Sequence, residues 1–549
     1  MDDFVPSFSQ CRLLHAEQGI FLTPCGDPAI ICDQFAAEMP PDREKIYGAC
    51  SIESFRAAGA LHEAHQDAGG FLDEVDRYDT PNFWRRDAGV KSWTYAGKGV
   101  AQGQDLSDDM DAVRVFYHAG HGATDEDGTF HAPMGALWDG SGATTSSRDM
   151  SFGERSLRYL FWSASESMRV SDGHSPICTW GRANRGTRMM FGFGGSAWDS
   201  GNYGRYFWQH WRMGKSFSQS WLDASWDVSH AQAPVAVACG ASSDEAADRL
   251  FAESRFQSAP VATDWWWWRW YEPETRLIRE PHDALPADFG LLRLVPAAED
   301  GAIAKSVIEH LGLARRGEIG PEGLKLRHGQ MELACMPDGR VSLLLQRSAR
   351  AEVPHMRLHR RLLVARARSA LRRYGFVHPD IDLVFDRVAL GMSCAATLQG
   401  SGQVIAPAID EVIVQFRQSV NGAPVISPEA GAVRVALTGD GTVLRIDCSL
   451  RRVVSVTPTH AYAPEGRDLT HPRDLRPVQD DMAQISARLL RDLSARGAAP
   501  LQLRLLPGEA ELGYCIRSNT GRMTARQGIE IECAKGFRKC SWISSSIDD

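Results

Sequence analysis

The sequence predicts an α/β fold: a mostly parallel sheet flanked by helices over residues 46–280, followed by a separate α+β region over 281–549. Three observations predict it. Between Ser51 and about Ser229, short apolar strand candidates alternate with helical patterns, the order in which crossover units build a parallel sheet. After about residue 280 the texture becomes arginine-rich, with strand and helix candidates mixed. A chain of 549 residues is also too long for one core and calls for two or three domains.

Residues 1–45 read as an irregular N-terminal segment, punctuated by Pro24, Gly26, Asp27, Pro28, Pro40 and Pro41. The clearest strands of the first domain are the apolar runs at 113–117, 157–162, 189–193 and 234–238. Residues 203–228, aromatic and free of proline, read as one or two helices. Trp265, Trp266, Trp267, Trp268 and Trp270 cannot all face one way on a helix or a strand. The run fits an edge strand buried between two domains, or a wall of a substrate cleft. In the second half, 411–416 and 433–437 alternate as strands. The turn Thr438-Gly439-Asp440-Gly441 then leads into 443–446, a hairpin pattern. Met482, Ile485, Leu489 and Leu493 share one helical face after Pro477.

Composition narrows the function classes. Apolar content of 43%, with 23% charged residues, is that of an ordinary soluble protein, and the net charge of −9 is spread along the chain. Nucleic-acid binding, which needs a basic face, is not expected. The start Met1-Asp2-Asp3-Phe4 is acidic where an export signal is basic, and no run reaches the roughly 18 apolar residues of a membrane span. Twelve scattered cysteines without a CxxC pair read as reduced thiols, so a cytoplasmic location is expected. Cys11, Cys25, Cys32 and Cys50 have gaps too irregular for a zinc site, and no metal or other cofactor is expected.

The chemistry concentrates at two strand ends. The run 113–117 leads directly into His118-Ala119-Gly120-His121-Gly122, and open parallel sheets carry their working residues just past the carboxyl ends of strands. A histidine followed by glycine supplies a base and an unhindered N–H for an oxyanion. The run 157–162 ends in Ser163-Ala164-Ser165-Glu166-Ser167. His121 and Ser165 lie 44 residues apart, near the spacing of about 50 by which a caspase histidine precedes its cysteine.

A strand ending in His-Gly followed by a strand ending in Ala-Cys or Ser-Cys resembles the core of the caspase-like (clan CD) cysteine peptidases. The likeness is greatest to CHAT and gingipain-like bacterial caspase-like hydrolases. Ser51 to Phe55, Gly70-Phe71, Phe191-Gly192-Phe193 with Ser196, Trp198 and Asp199, and the pattern Gly204 to Trp208, Gly214-Lys215-Ser216, Ser220, Trp221 and Ala224 extend it over about residues 45–245. The resemblance implies a cysteine endopeptidase that cuts a peptide or protein substrate through an acyl-enzyme, without a cofactor. His121 would carry the proton, and the N–H groups of Gly122 and residue 165 would hold the oxyanion. Asp199, Trp198 and Glu166 would contact substrate. The nucleophile position, however, is Ser165, and the nearest cysteine, Cys178, is thirteen residues on. A thiol beside a histidine ionises readily, whereas a serine needs a tighter base and an orienting acid. Three readings stand: an introduced, inactivating cysteine-to-serine exchange, a natural pseudo-enzyme that binds peptides or scaffolds partners, and a working serine variant.

Other residues keep alternatives. His118 and His121 have HxxH spacing, but at a strand end their side chains point to opposite faces, against a shared metal. Asp125, Glu126 and Asp127 fit solvated surface or a contact to a basic substrate side chain. Asn421-Gly422-Ala423-Pro424-Val425 and the following hairpin resemble the PepSY-type modules of peptidase pro-regions, which implies a module that occupies or gates a cleft.

Overall fold

A computed structural model describes residues 45–55, 58–97, 108–135, 144–273, 289–313, 323–346, 359–398, 404–458, 476–496, 502–533 and 536–546. The expected irregular segment, with Cys11, Cys25 and Cys32, lies outside the described residues. Cys50, inside them, is buried in a strand, and burial pushes its thiol up to about 12.

The first half contributes strands β1 (Tyr47–Ser51), β2 (Phe83–Arg86), β3 (Val115–Ala119), β4 (Ala123–Thr124), β5 (Phe130–Pro133), β6 (Thr144–Ser146), β7 (Tyr159–Ser163), β8 (Met189–Phe193), β9 (Pro234–Gly240) and β10 (Trp265–Tyr271). Their helices are α1 (Ala64–Val75), α2 (Pro176–Trp180), α3 (Tyr203–Arg212), α4 (Phe217–Val228) and α5 (Ser243–Ala252). In space the main strands run β2-β1-β3-β7-β8-β9-β10. The first five are parallel, while β9 and β10 are each antiparallel to the strand before. Parallel strands covered on both faces must be apolar throughout, and β3, β7 and β8 are buried at every residue. Phe71 of α1 stacks on Tyr117, and Phe207 of α3 and Trp221 of α4 meet Phe161 edge-on. On the opposite face Tyr95 and Trp180 both stack on Trp162.

The second half supplies β11 (Gly290–Leu294), α6 (Ala302–His310), β12 (Leu324–His328), β13 (Met331–Cys335), β14 (Val341–Leu344), α7 (Arg360–Arg373), β15 (Asp382–Thr397) and β16 (Val404–Val420). It continues with β17 (Ala423–Pro424), β18 (Ala432–Leu437), β19 (Val443–Cys448), β20 (Val453–Pro458), α8 (Arg476–Arg496), β21 (Gln502–Arg517), β22 (Thr520–Glu532) and β23 (Arg538–Ser546). The hairpin expected at 438–441 joins β18 to β19. A second one turns at Asn421-Gly422, both at positive φ, between β16 and β17. Met482, Ile485 and Leu489 of α8 pack on the first core.

The expected separation at residue 280 does not hold as a break in the sheet. Strand β10 pairs with β15, and the ladder runs on through β16, β18, β19, β14, β13 and β12, so one mixed sheet spans both halves. The second half has a core of its own around Leu363, Leu371, Val414 and Val435, but Ile529, Cys540 and Ile543 belong to the first core. The tryptophan run is therefore an interior strand and neither an edge nor a cleft wall. It is apolar on both sides because both sides are covered. Arg269 within it is buried against Asp410, 2.7 Å away on β16, and Lys215 reaches Asp223 at 2.8 Å and Asp447 at 3.0 Å. Paired charges, not only apolar contacts, join the halves. A second sheet, β20-β11-β22-β21 with β23 on β22, supplies the last strand.

Candidate functional site

The parallel register sets Ala119 beside Ser163, so the two strand-end motifs leave the sheet side by side. A Cβ on Gly122 would stand 2.7 Å from the Ser165 carbonyl oxygen and 2.5 Å from the Phe130 ring. Glycine is thus required by close approach, and the two tips touch through backbone. Glu166 turns the second tip with a φ of 55°. Its carboxylate accepts the Thr124 N–H at 3.0 Å, and its carbonyl accepts the Thr124 hydroxyl at 2.7 Å. Glu166 thereby braces the first tip.

The two side chains expected to work together spend their hydrogen bonds elsewhere. Ser165, 1% exposed, accepts the Ala197 N–H at 3.0 Å and donates to the Arg538 carbonyl at 2.6 Å. Nε2 of His121 donates to the Gly59 carbonyl at 2.9 Å, leaving buried Nδ1 without a hydrogen-bond partner. The His121 ring packs edge-on against Phe55, and Phe537 lies across from it at 6.3 Å between centroids. Burial, with the charge of Lys539 adding to it, lowers His121 to about 3, so it is neutral at pH 7. His118 points to the other side, accepting or donating with the Tyr95 hydroxyl at 2.8 Å, and falls to about 3 for the same two causes. No cluster of potential metal ligands occurs among the described residues.

Strand β23 fills the site. Besides the Arg538 carbonyl on Ser165, the Cys540 N–H donates to Ala197 at 2.9 Å and the Cys540 carbonyl accepts the Asp199 N–H at 2.6 Å. Trp198, expected to touch substrate, is buried and stacks on Trp542 at 4.4 Å. Lys539, 4% exposed, enters between the strand ends, its ammonium donating to the carbonyls of Gly120 at 3.2 Å and Ser163 at 3.4 Å. Burial lowers its pKa, and the carboxylates of Asp199 and Asp67 oppose that. Asp199, expected as a pocket acid, also accepts the N–H groups of His62 at 2.8 Å and Glu63 at 3.3 Å ahead of α1. Asp67, held by Tyr117 and Gly204, rises to about 6 through burial.

Beside Phe537 and Arg538 an open cleft of about 650 Å³ runs past Thr124, Glu126, His131 and Glu166. Within the acidic loop, Asp125 bonds His131 at 3.1 Å and Asp127 pairs with Arg148; Asp125 and Glu126 both line the cleft. Cys178 is an exposed thiol on α2, near Gly128 and not at the strand ends. Sequence reasoning missed Lys539, Asp67 and Gly59. A lysine alternating into the buried face of 538–546 was the one available signal, and nothing linked it to residues 120–165.

A family model described as a domain of unknown function (DUF6345) matches residues 49–271. That span runs from β1 through the last residue of β10, so it holds His121, Ser165 and Asp199 and excludes Lys539. No curated protein matches the chain. Among solved structures, the C-terminal domain of YpeB from Bacillus megaterium is similar over 47% of this chain and 100% of that one, at 12% identity and a TM-score of 0.17. A likeness at that score carries no argument. Among the described residues, no helix is long and apolar enough to cross a membrane.

Proposed function

We propose that this chain is a caspase-like module that binds an extended peptide strand and does not hydrolyse it. One observation carries the reading: Ser165 gives its hydroxyl hydrogen to a strand carbonyl, while His121 gives Nε2–H to Gly59 and makes no hydrogen bond to Ser165. A serine nucleophile needs a base that takes its proton and an acid that orients that base. Neither link is present here. The surroundings instead do what a strand-binding groove does, offering backbone groups at Ala197 and Asp199 and an aromatic clamp at Trp198.

A second reading, a cysteine peptidase silenced by Ser165, draws on the contact between the two tips at Gly122 and on the free Nδ1 lone pair of His121. Ser165→Cys separates the two. On the binding reading, the Ser165→Cys chain leaves a mixed peptide library intact. Cleavage that iodoacetamide and His121→Ala both abolish would establish the peptidase instead.

A further inference from the structure

We infer that the space between the ends of β3 and β7 is a recognition pocket for a lysine on an extended strand, and that residues 537–540 occupy it as an internal ligand. The inference deepens the strand-binding reading and rests on it. The pocket suits an ammonium: its floor is two backbone carbonyls, that of Gly120 and that of Ser163, the latter also accepting the Gly120 N–H at 3.2 Å and keeping a second lone pair for a donor. Asp67 and Asp199 supply the compensating charge that a buried cation requires. Strand β23 enters as a guest strand would, giving and taking main-chain bonds with Ala197 and Asp199. Phe537 covers His121, and the Arg538 carbonyl rests on Ser165, where a substrate carbonyl would sit beside a nucleophile.

The occupant also lies outside the family-matched stretch, which ends at residue 271 and contains the pocket floor and both acids. The pocket and its filling therefore come from distant parts of the sequence, brought together where Cys540 and Ile543 pack in the first core. The natural competitor is another extended segment with a lysine at the position of Lys539, approaching along the open cleft beside Arg538.

The probe is a fluorescein-labelled synthetic peptide with the sequence of residues 536–542, titrated into the full chain. Trp542→Ala loosens β23 from outside the pocket by removing the stack on Trp198, and it should tighten peptide binding at least 10-fold over the parent. A Lys539→Met version of the peptide should lose at least 10-fold on that variant. Equal binding of the two peptides, or no gain in Trp542→Ala, overturns the inference. Should Trp542→Ala fail to fold, hydrogen exchange on the parent decides. The Cys540 amide must exchange through an opening distinct from that of β7 and β8; exchange only together with those strands overturns the inference. Cleavage of the probe by the Ser165→Cys chain would remove the non-hydrolytic reading while leaving the lysine preference standing. Equal binding without cleavage would do the reverse.

Discussion

Replacing Ser165 by alanine tests whether its hydroxyl is a strand clasp. The side chain is buried and bridges two backbone groups from distant parts of the chain, the Ala197 N–H and the Arg538 carbonyl. Each hydrogen bond contributes about 1 kcal/mol net, and a buried group left unsatisfied costs about 1–3 kcal/mol, so docking of β23 should weaken by about 2–3 kcal/mol. At about 1.4 kcal/mol per factor of ten, that raises the opening constant of the strand roughly 30- to 150-fold. The assay is hydrogen exchange with the Cys540 amide as reporter, because its acceptor, the Ala197 carbonyl, belongs to the docking contact. Ser167→Ala is the control. Ser167 lies in the same tip and bonds Trp162, Ala164 and the Phe193 N–H, but makes no bond to β23. It should destabilise the tip and leave the ratio of Cys540 exchange to core exchange unchanged. If Ser165→Ala leaves Cys540 exchange within threefold of the parent, the hydroxyl does not hold the strand and the binding reading loses its main support.

Gly122→Ala forces a methyl against the Ser165 carbonyl and the Phe130 ring, and overpacking of this kind costs about 1–3 kcal/mol, read as a lower urea midpoint. His121 is held near 3 in the fold against about 6.5 unfolded, so the unfolded chain binds the extra proton. Its contribution to stability is complete above pH 6.5 and fades as pH falls toward 3. Between pH 7 and pH 5 the stability gap between the parent and His121→Asn should narrow by about 2 kcal/mol in urea unfolding, and a constant gap would refute the neutral, sealed histidine. Asp67, raised to about 6, acts with the opposite sign over the same interval, so its effect is removed by comparing variants at matched pH. Arg269→Met leaves Asp410 buried without its partner and should cost about 3–5 kcal/mol, seen as a lower melting midpoint for both halves together.

The strand tips were legible in the sequence because a parallel sheet writes itself as short, wholly apolar runs, and 189–193 matches β8 residue for residue. The expected runs at 113–117 and 157–162 sit two residues and one or two residues short of β3 and β7, since the apolar text begins before the ladder does. The filling of the site was not legible. Ser165 and Arg538 are 373 residues apart, and no local pattern couples a turn to a strand at that distance. The continuity of the sheet left a trace that was open to a better reading. Strand β10 is apolar on both faces, which is the mark of an interior strand, and it carries one arginine that has to find an acid; Asp410 and Glu411 were the pair to look for.

The second sheet explains how β23 is held at the site. Strand β23 pairs with β22 over nine register positions and follows it after only residues 533–537, so it is held in place by a short connection to its ladder neighbour. A short tether gives an effective concentration on the order of millimolar, and a free peptide with identical contacts has to exceed that before it displaces the chain's own strand. The side of the cleft past Thr124 and Glu126 is already open, and Glu166 and Arg538 line it. On the strand-binding reading, a competing strand would gain its first contacts there. Farther along β23, Trp542 holds the aromatic clamp on Trp198. On the strand-binding reading, the strength of that clamp, about 0.5–1.5 kcal/mol for a stacked pair beyond its buried area, contributes to self-occupancy without touching the proposed lysine pocket.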